Sequence, residues 1–440
     1  MESPAEHPTF REALRVWLKI GLLSFGGPAG QIALMHRELV EKHRWVSDRR
    51  FLHALNYCML LPGPEAQQLA VYTGWLLHGT RGGLAAGAFF VIPGALLMLA
   101  ISYVYVLFGK LPWMEAVFYG LKAAVMAVVL AAVLRLGKKV LKHPVMWVIA
   151  AASFTAIFAF GVAFPLIVLA ALLIGLVFGP RYPRIFDGGG GHGGKPAADS
   201  GNYVISDGIS AAIAPPTLPG TLLKVAFWLL VWLVPLGLCA LFFGPEHVLT
   251  NQGVFFSKAA LVTFGGAYAV LPYVAQQAVE VHGWLSATQM MDGLGLAETT
   301  PGPLILVLQF VGFLGGWNAP GGMPPLLTAT LAAGITTWCT FIPGYLFIFA
   351  GAPFIERTRG DLRLNSALSA VTAAVVGVVL NLAVWFSWHV VVPKPGQFDA
   401  IPLVLAAVFL FLIQSRKWDM IRIVGLGAAL GLAMHLVGVR

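Results

Sequence analysis

The sequence predicts an all-α polytopic membrane protein made of two inverted-topology repeats with broken or re-entrant helices. Three observations predict it. First, 58% of the 440 residues are hydrophobic and only 11% are charged, with mean hydropathy +0.81. A soluble chain carries about 25% charged residues, so this one cannot cover a water-facing surface. Second, Lys19, Ser24, Phe25, Gly26, Gly27, Trp45, Ser47, Pro62, Gly63 and Pro64 are matched by Lys258, Thr263, Phe264, Gly265, Gly266, Trp284, Ser286, Pro301, Gly302 and Pro303. The offset is 239 throughout, from 258 − 19 to 303 − 64, with no gap, which marks an internal duplication. Third, the loop after the first apolar segment holds Arg37, Lys42, Arg44, Arg49 and Arg50, while its partner near 276–290 holds no Lys or Arg. Basic residues in short loops mark the cytoplasmic side, so the same element faces opposite sides in the two halves.

Thirteen apolar segments follow in order. The first half has about 14–35, 51–77, 84–108, 112–135, 145–160 and 162–179, and a single segment follows at 221–243. The second half has about 253–277, 290–314, 326–351, 366–391, 401–414 and 421–438. The implied organisation is an N-terminal repeat over 1–180, a cytoplasmic Gly/Pro-rich linker over 181–220, a linking transmembrane helix over 221–250 and a C-terminal repeat over 251–440. Gly188–Gly191 and Pro215–Pro216 make the linker read as flexible and polar. One extra helix between two six-segment halves supplies the inversion.

The basic loops also constrain which segments cross. Arg81, Lys138, Lys139, Lys142, Arg181, Arg184, Arg357, Arg359, Arg363, Arg416, Lys417 and Arg422 all belong inside. Thirteen full spans cannot satisfy this set. It is satisfied if the first two segments of each half are re-entrant hairpins, leaving nine spans, an internal N-terminus and an external C-terminus. The turning points are Gly26-Gly27-Pro28, Pro62-Gly63-Pro64, Gly265-Gly266 and Pro301-Gly302-Pro303. The acidic start, Glu2 and Glu6, argues against a cleaved signal peptide. Cys58, Cys239 and Cys339 lie apart in apolar sequence and read as small buried side chains rather than a metal or disulfide set.

Non-helical backbone at membrane depth survives only where protein or a wet cavity satisfies it, and broken helices in duplicated halves point to a transporter's substrate site. A helix starting after a break presents free N–H groups and a positive dipole end, which favour an anion. The candidate substrate-binding residues are therefore Lys19, Ser24, Phe25, Gly26, Gly27, Pro62, Gly63, Pro64, Gln67, Gln68, Lys258, Thr263, Phe264, Gly265, Gly266, Thr299, Thr300, Pro301, Gly302 and Pro303. The competing explanation is that the glycines only permit close helix packing. Lys19 and Lys258 are read as sources of positive potential, against the alternative of snorkelling to the interface. Glu65 and Glu298 stand beside breaks and are the proton-coupling candidates, the alternative being a helix cap. Trp45 and Trp284 read as interface anchors, Arg135 likewise, and His36 and His43 as solvated.

The runs Ser24–Pro28, Leu61–Ala70, Thr263–Gly266 and Glu298–Pro303 together resemble the chromate transporter family, in its long two-domain form, over nearly the whole chain. The resemblance implies export of chromate across the bacterial inner membrane and chromate resistance, with sulfate as a close analogue. The second half departs from the first at Ala267, where the first has Pro28. Export suits the physics: a dianion leaving with the inside-negative potential gains about 4–5 kcal/mol per 100 mV. The expected partners are a chromate- or sulfate-like oxyanion and membrane lipid, not nucleic acid, with the protein acting as a monomer or homodimer. No cofactor is expected: there is no complete GxxxxGK[ST] run, since Gly193-Gly194-Lys195 is followed by proline and sits in the linker. The alternatives are a sulfate or related oxyanion transporter, possibly for uptake, or an anion channel. An enzyme is the weakest reading, with no HExxH pair and no nucleophile–base arrangement.

Overall fold

A computed structural model describes residues 6–25, 27–186, 203–205, 217–264, 266–355, 362–393 and 396–438. Gly26 and Gly265, and most of the 181–220 linker including its Gly188–Gly191 and Pro215–Pro216 runs, lie outside the described residues, as do Arg357 and Arg359.

The described chain is almost wholly helical, with no β-strand among the described residues and an isolated bridge between Val46 and Ile205. The first half contains α1 (Phe10–Leu23), α2 (Gly27–His36), a π-helical turn (Arg37–Lys42), α3 (Asp48–Leu60), α4 (Glu65–Phe108), α5 (Pro112–Val140), α6 (Pro144–Phe160) and α7 (Phe164–Phe178). A short α8 (Pro183–Phe186) and the linking helix α9 (Leu218–Phe243) follow. The second half contains α10 (Val248–Val262), α11 (Ala267–Ala275), a π-helical turn (Gln276–Val281), α12 (Ala287–Thr299), a 3₁₀ turn (Leu304–Leu306), α13 (Val307–Asn318), α14 (Pro325–Ile355), α15 (Leu362–Val391), α16 (Ile401–Arg416) and α17 (Met420–Leu436).

Element boundaries recur at the sequence offset of 239. The two π turns coincide under it, as do α3 and α12. Ser47 and Ser286 each cap the helix that follows, accepting from the N–H of Arg50 and of Gln289. Those side-chain oxygens satisfy donors that a helix start leaves free. Long α4 is interrupted by non-helical geometry at His78 and Gly79, and the corresponding position in the second half is where α13 ends.

Among the described residues, five helices are long and apolar enough to cross a membrane: Glu65–Phe108, Pro112–Val140, Leu218–Phe243, Pro325–Phe354 and Ser366–Val391. Their outward surface is apolar, with Leu96, Leu223, Leu241 and Trp388 all largely exposed. Polar side chains such as Gln67, Gln68 and Gln252 are buried instead. This inside-out distribution is what lipid, rather than water, selects.

The halves interleave. α6 and α7 pack on α15 of the second half, while α16 and α17 pack on α5 of the first. Small residues bring the backbones together. A Cβ added at Gly120 of α5 would run into the Gly427 carbonyl of α17, and one added at Gly377 of α15 would run into the Ala150 carbonyl of α6.

Two expectations are corrected here. Part of the linker is docked rather than free: Ile205 forms a parallel bridge with Val46, and both Ile205 and Phe186 are buried. Apolar side chains in a polar linker find the nearest apolar surface, here the Trp45–Ser47 turn. Trp45 and Trp284 are not interface anchors but are buried, 6% and 5% exposed. The π turn holds each residue inward, with the Trp45 backbone N–H on the Leu39 carbonyl and the Trp284 backbone N–H on the Ala278 carbonyl, both 2.8 Å.

Gly120→Leu is expected to lower the unfolding temperature of the detergent-solubilised protein, since overpacking costs about 1–3 kcal/mol or more where backbone cannot move. Gly237→Leu on α9, where an added Cβ meets nothing within 4 Å, serves as the comparison and should leave it near wild type. Equal behaviour of the two variants in a thermal-shift series would refute the close crossing of α5 and α17.

Candidate functional site at the four helix breaks

The breaks of one half satisfy those of the other. The Gly63 N–H donates to the Thr263 carbonyl at 2.8 Å, and the Gly302 N–H donates to the Ser24 carbonyl at 2.9 Å. These bonds are the same contact under the offset, since 24 + 239 = 263 and 63 + 239 = 302. Unpaired amides in an apolar interior cost several kcal/mol each, so the cross-pairing makes the breaks tolerable. Gln31 completes one of them, donating to the Gly302 carbonyl at 2.6 Å, and Gln68 donates to the Pro62 carbonyl at 2.7 Å.

Glycine is required at two equivalent positions. Gly27 and Gly266 have φ of +71° and +96°, and Gly63 and Gly302 have +111° and +93°. L side chains rarely adopt these values. After each turn a helix begins: α2 at Gly27, α4 at Glu65, α11 at Ala267 and the 3₁₀ turn at Leu304. No side chain caps α4, α11 or the 3₁₀ turn. Helix starts from both halves thus gather around one point, with positive dipole ends and uncapped N–H groups.

The predicted residues divide into those at this point and those beside it. Pro62, Gly63, Pro64, Pro301, Gly302 and Pro303 form the crossing, with Phe25 and Phe264 half-buried next to it. The hydroxyls expected as anion donors are committed elsewhere. Ser24 and Thr263 donate to the carbonyls of Ile20 and Ala259, each at 2.6 Å, and Thr299 and Thr300 donate to Leu296 and Ala297. A hydroxyl one turn from a helix carbonyl in an apolar surround takes that acceptor first. Gln67 is fully buried against Gly344.

The two lysines stand differently. Lys19 is paired with the buried Glu38 at 2.7 Å, so its charge is spent on a carboxylate of the basic loop. Lys258 is exposed, and the residue corresponding to Glu38 is Gln277, which offers no charge. His36 likewise is not simply solvated, as its Nε2 lies 2.7 Å from Asp48.

The two acids meet at the second half's break, Glu65 by reaching across from the first half. A Cβ placed on Gly266 would lie 3.0 and 3.4 Å from the Glu65 carboxylate oxygens, so that carboxylate rests against the backbone where α11 begins. The same carboxylate also faces its own backbone N–H at the start of α4. Tyr268, in the first turn of α11, donates to Glu298. Arg135 interacts electrostatically with Glu298 and Tyr268, and Lys139, one turn along α5, with Glu65. Arg135 is therefore more than an interface anchor. Sequence reading did not single out Gln31, Tyr268 or Lys139 for this site; a glutamine inside an apolar run was the one available signal.

Comparison with known proteins finds relatives over nearly the whole chain. The family model described as chromate transporter matches residues 11–176 and 251–432. A chromate transport protein of Cupriavidus metallidurans is 29% identical over 432 residues, covering 97% of this chain and 94% of that one. A chromate transport protein of Pseudomonas aeruginosa is 34% identical over 371 residues, covering 82% and 77%. A probable chromate transport protein of Synechococcus elongatus is 28% identical over 383 residues, covering 86% and 85%. No solved structure matches the chain.

The Lys19–Glu38 pair has a pH signature. Burial pushes the Glu38 carboxyl up, but Lys19, Lys42 and His43 outweigh it and hold it below the ordinary value. A lowered folded-state value means stability that is present above the unfolded value, about 4.3, and is lost as pH falls through the folded one. Lys19→Gln should therefore lower the unfolding temperature at neutral pH, with the gap to wild type closing on acidification. A gap that does not change between about pH 7 and pH 3 would assign the pair no such role.

Proposed function

Since the chain belongs to the chromate transporter family, we propose that it is a secondary transporter that exports chromate, a tetrahedral oxyanion, across the bacterial inner membrane and thereby confers chromate resistance. The observation that carries this reading is the cross-paired break, where uncapped helix starts from both halves meet beside positive-φ glycines. A tetrahedral dianion offers four acceptor oxygens to such N–H groups, and glycine lets it approach the backbone closely.

The site residues at the crossing are Gly27, Gly63, Gly266 and Gly302, with the flanking prolines holding the chain extended on either side. Glu65 acts as a resident anion. Its carboxylate rests at the start of α11, where a substrate oxygen would be stabilised, so it must withdraw or take a proton as substrate arrives. Glu298, held by Tyr268 and facing Arg135, is the second proton-coupling candidate. Arg135 and Lys139 supply positive potential on the cytoplasmic side of the crossing, where an exported anion enters.

Alternating access follows from the repeat. Matched element boundaries and the reciprocal hydrogen bonds support two halves of inverted topology with re-entrant segments, the N-terminus being cytoplasmic. Rocking one half against the other opens the crossing to each side in turn, as a monomer or within a homodimer. Sulfate is the second reading, because it shares the charge and shape of chromate and the breaks read those properties.

Radiolabelled chromate in inverted membrane vesicles tests the proposal. Accumulation driven by an inside-positive potential is expected, and excess sulfate measures the competition. Movement of sulfate without chromate would replace the substrate. Gly27→Val or Gly266→Val, forced into the left-handed region at about 1–2 kcal/mol each, should leave the protein inserted but lower transport at least about tenfold. Unchanged transport in both variants would remove the crossing as the site.

A further inference from the structure

A cavity of about 690 Å³ opens among α4, α5, α12, α13 and α17, away from the breaks. At its floor lies an ionic cluster in otherwise apolar helices. Asp292 of α12, 4% exposed, accepts a hydrogen bond from the Tyr105 hydroxyl at 2.8 Å on Oδ2. Its other oxygen, Oδ1, makes no hydrogen bond and faces Lys122 Nζ of α5 at 3.7 Å. Tyr119, on the same face as Lys122, donates to Asp399 and is not available to the cluster. Lys110, Glu115 and His435 stand further out in the lining.

Three features separate this cluster from a structural ion pair. It borders an open cavity rather than packed side chains. The ion pair is long and one carboxylate oxygen is under-satisfied, although buried carboxylates normally have their lone pairs filled. The cavity also lies toward the ends of α4 and α13 and the starts of α5 and α12. In the inverted topology these ends share the external side, so α12 leads from the cavity down to Glu298 at the break. The second half supplies Asp292 where the first has His53, so the feature belongs to one half only.

We infer that this cavity is the external vestibule of the transport path and that Asp292 and a tetrahedral oxyanion compete in it for Lys122. The inference rests on the reading of the protein as an oxyanion transporter. With Asp292 ionised, the carboxylate is the partner of Lys122, and a departing oxyanion finds Lys122 taken and leaves. When water in the cavity delivers a proton to Asp292, the neutral acid keeps its place beside Tyr105 and Lys122 becomes available to the anion. Proton and oxyanion therefore bind together, and loss of the proton expels the anion. Of the outer groups, Lys110 favours the anion and Glu115 opposes it whether or not Asp292 carries a proton.

The test reads the vestibule directly. Thr288→Cys at the cavity rim, in the full-length protein, is labelled with a trifluoromethyl thiol reagent, and sulfate is titrated against its ¹⁹F signal at about pH 5.5 and about pH 8. Half-saturation should need about fivefold or more less sulfate at the acid pH. Asp292→Asn should bind with similar affinity at both, because the amide no longer competes. Lys122→Gln should show no response at either, and Lys122→Arg should restore both the response and its pH dependence. Thermal unfolding of each variant checks that it is folded, and Lys122→Arg carries the test if Lys122→Gln is not. A pH dependence that persists in Asp292→Asn, or a sulfate response that persists in folded Lys122→Gln, overturns the inference. A label silent to sulfate at both pH values, in protein that still accumulates chromate in vesicles, overturns it while leaving the transport reading intact. Failure of both assays would instead overturn the transport reading.

Discussion

The need to pair backbone amides in an apolar interior governs this structure. Four interruptions of helix expose N–H and carbonyl groups where no water reaches them. Two reciprocal bonds, Gly63 to Thr263 and Gly302 to Ser24, resolve the problem between halves rather than within one. The helix starts are held together as a consequence, because separating the halves at this point would leave both sets of amides unpaired. The same constraint explains why buried glutamines surround the crossing: Gln31 and Gln68 supply N–H groups to carbonyls that helices cannot reach.

Interleaving follows from the same economy. Lipid gives no hydrophobic drive for one apolar helix to associate with another, so close crossings depend on small residues and shape. Gly120, Gly377 and Gly427 allow α5 and α15 to be embraced by helices of the opposite half.

Charge is distributed with equal selectivity. Glu65 and Glu298 each meet a cation of α5 near the crossing, Asp292 meets another on the same helix, and Glu38 meets Lys19. Each buried acid thus has a positive neighbour, as the desolvation cost of an isolated carboxylate demands. A substrate dianion entering this interior must displace or rearrange one of these pairs, which makes anion movement and proton occupancy natural partners.

Much of this was legible in the chain itself. Composition alone requires a membrane protein, and the constant offset of 239 from Lys19–Lys258 to Pro64–Pro303 locates the breaks and shows that they come in pairs. Those features are local: hydropathy and Gly-Pro punctuation act on the segment that contains them. Tertiary structure decided which break pairs with which, that Ser24 and Thr263 spend their hydroxyls on their own helices, that Lys19 serves Glu38, and that Trp45 and Trp284 turn inward. It also placed Glu65 on the backbone of Gly266, some 200 positions away, and put Asp292 opposite Lys122. Such contacts depend on the crossing of helices distant in sequence, and no periodicity or spacing within a segment records how far one helix is rotated against another.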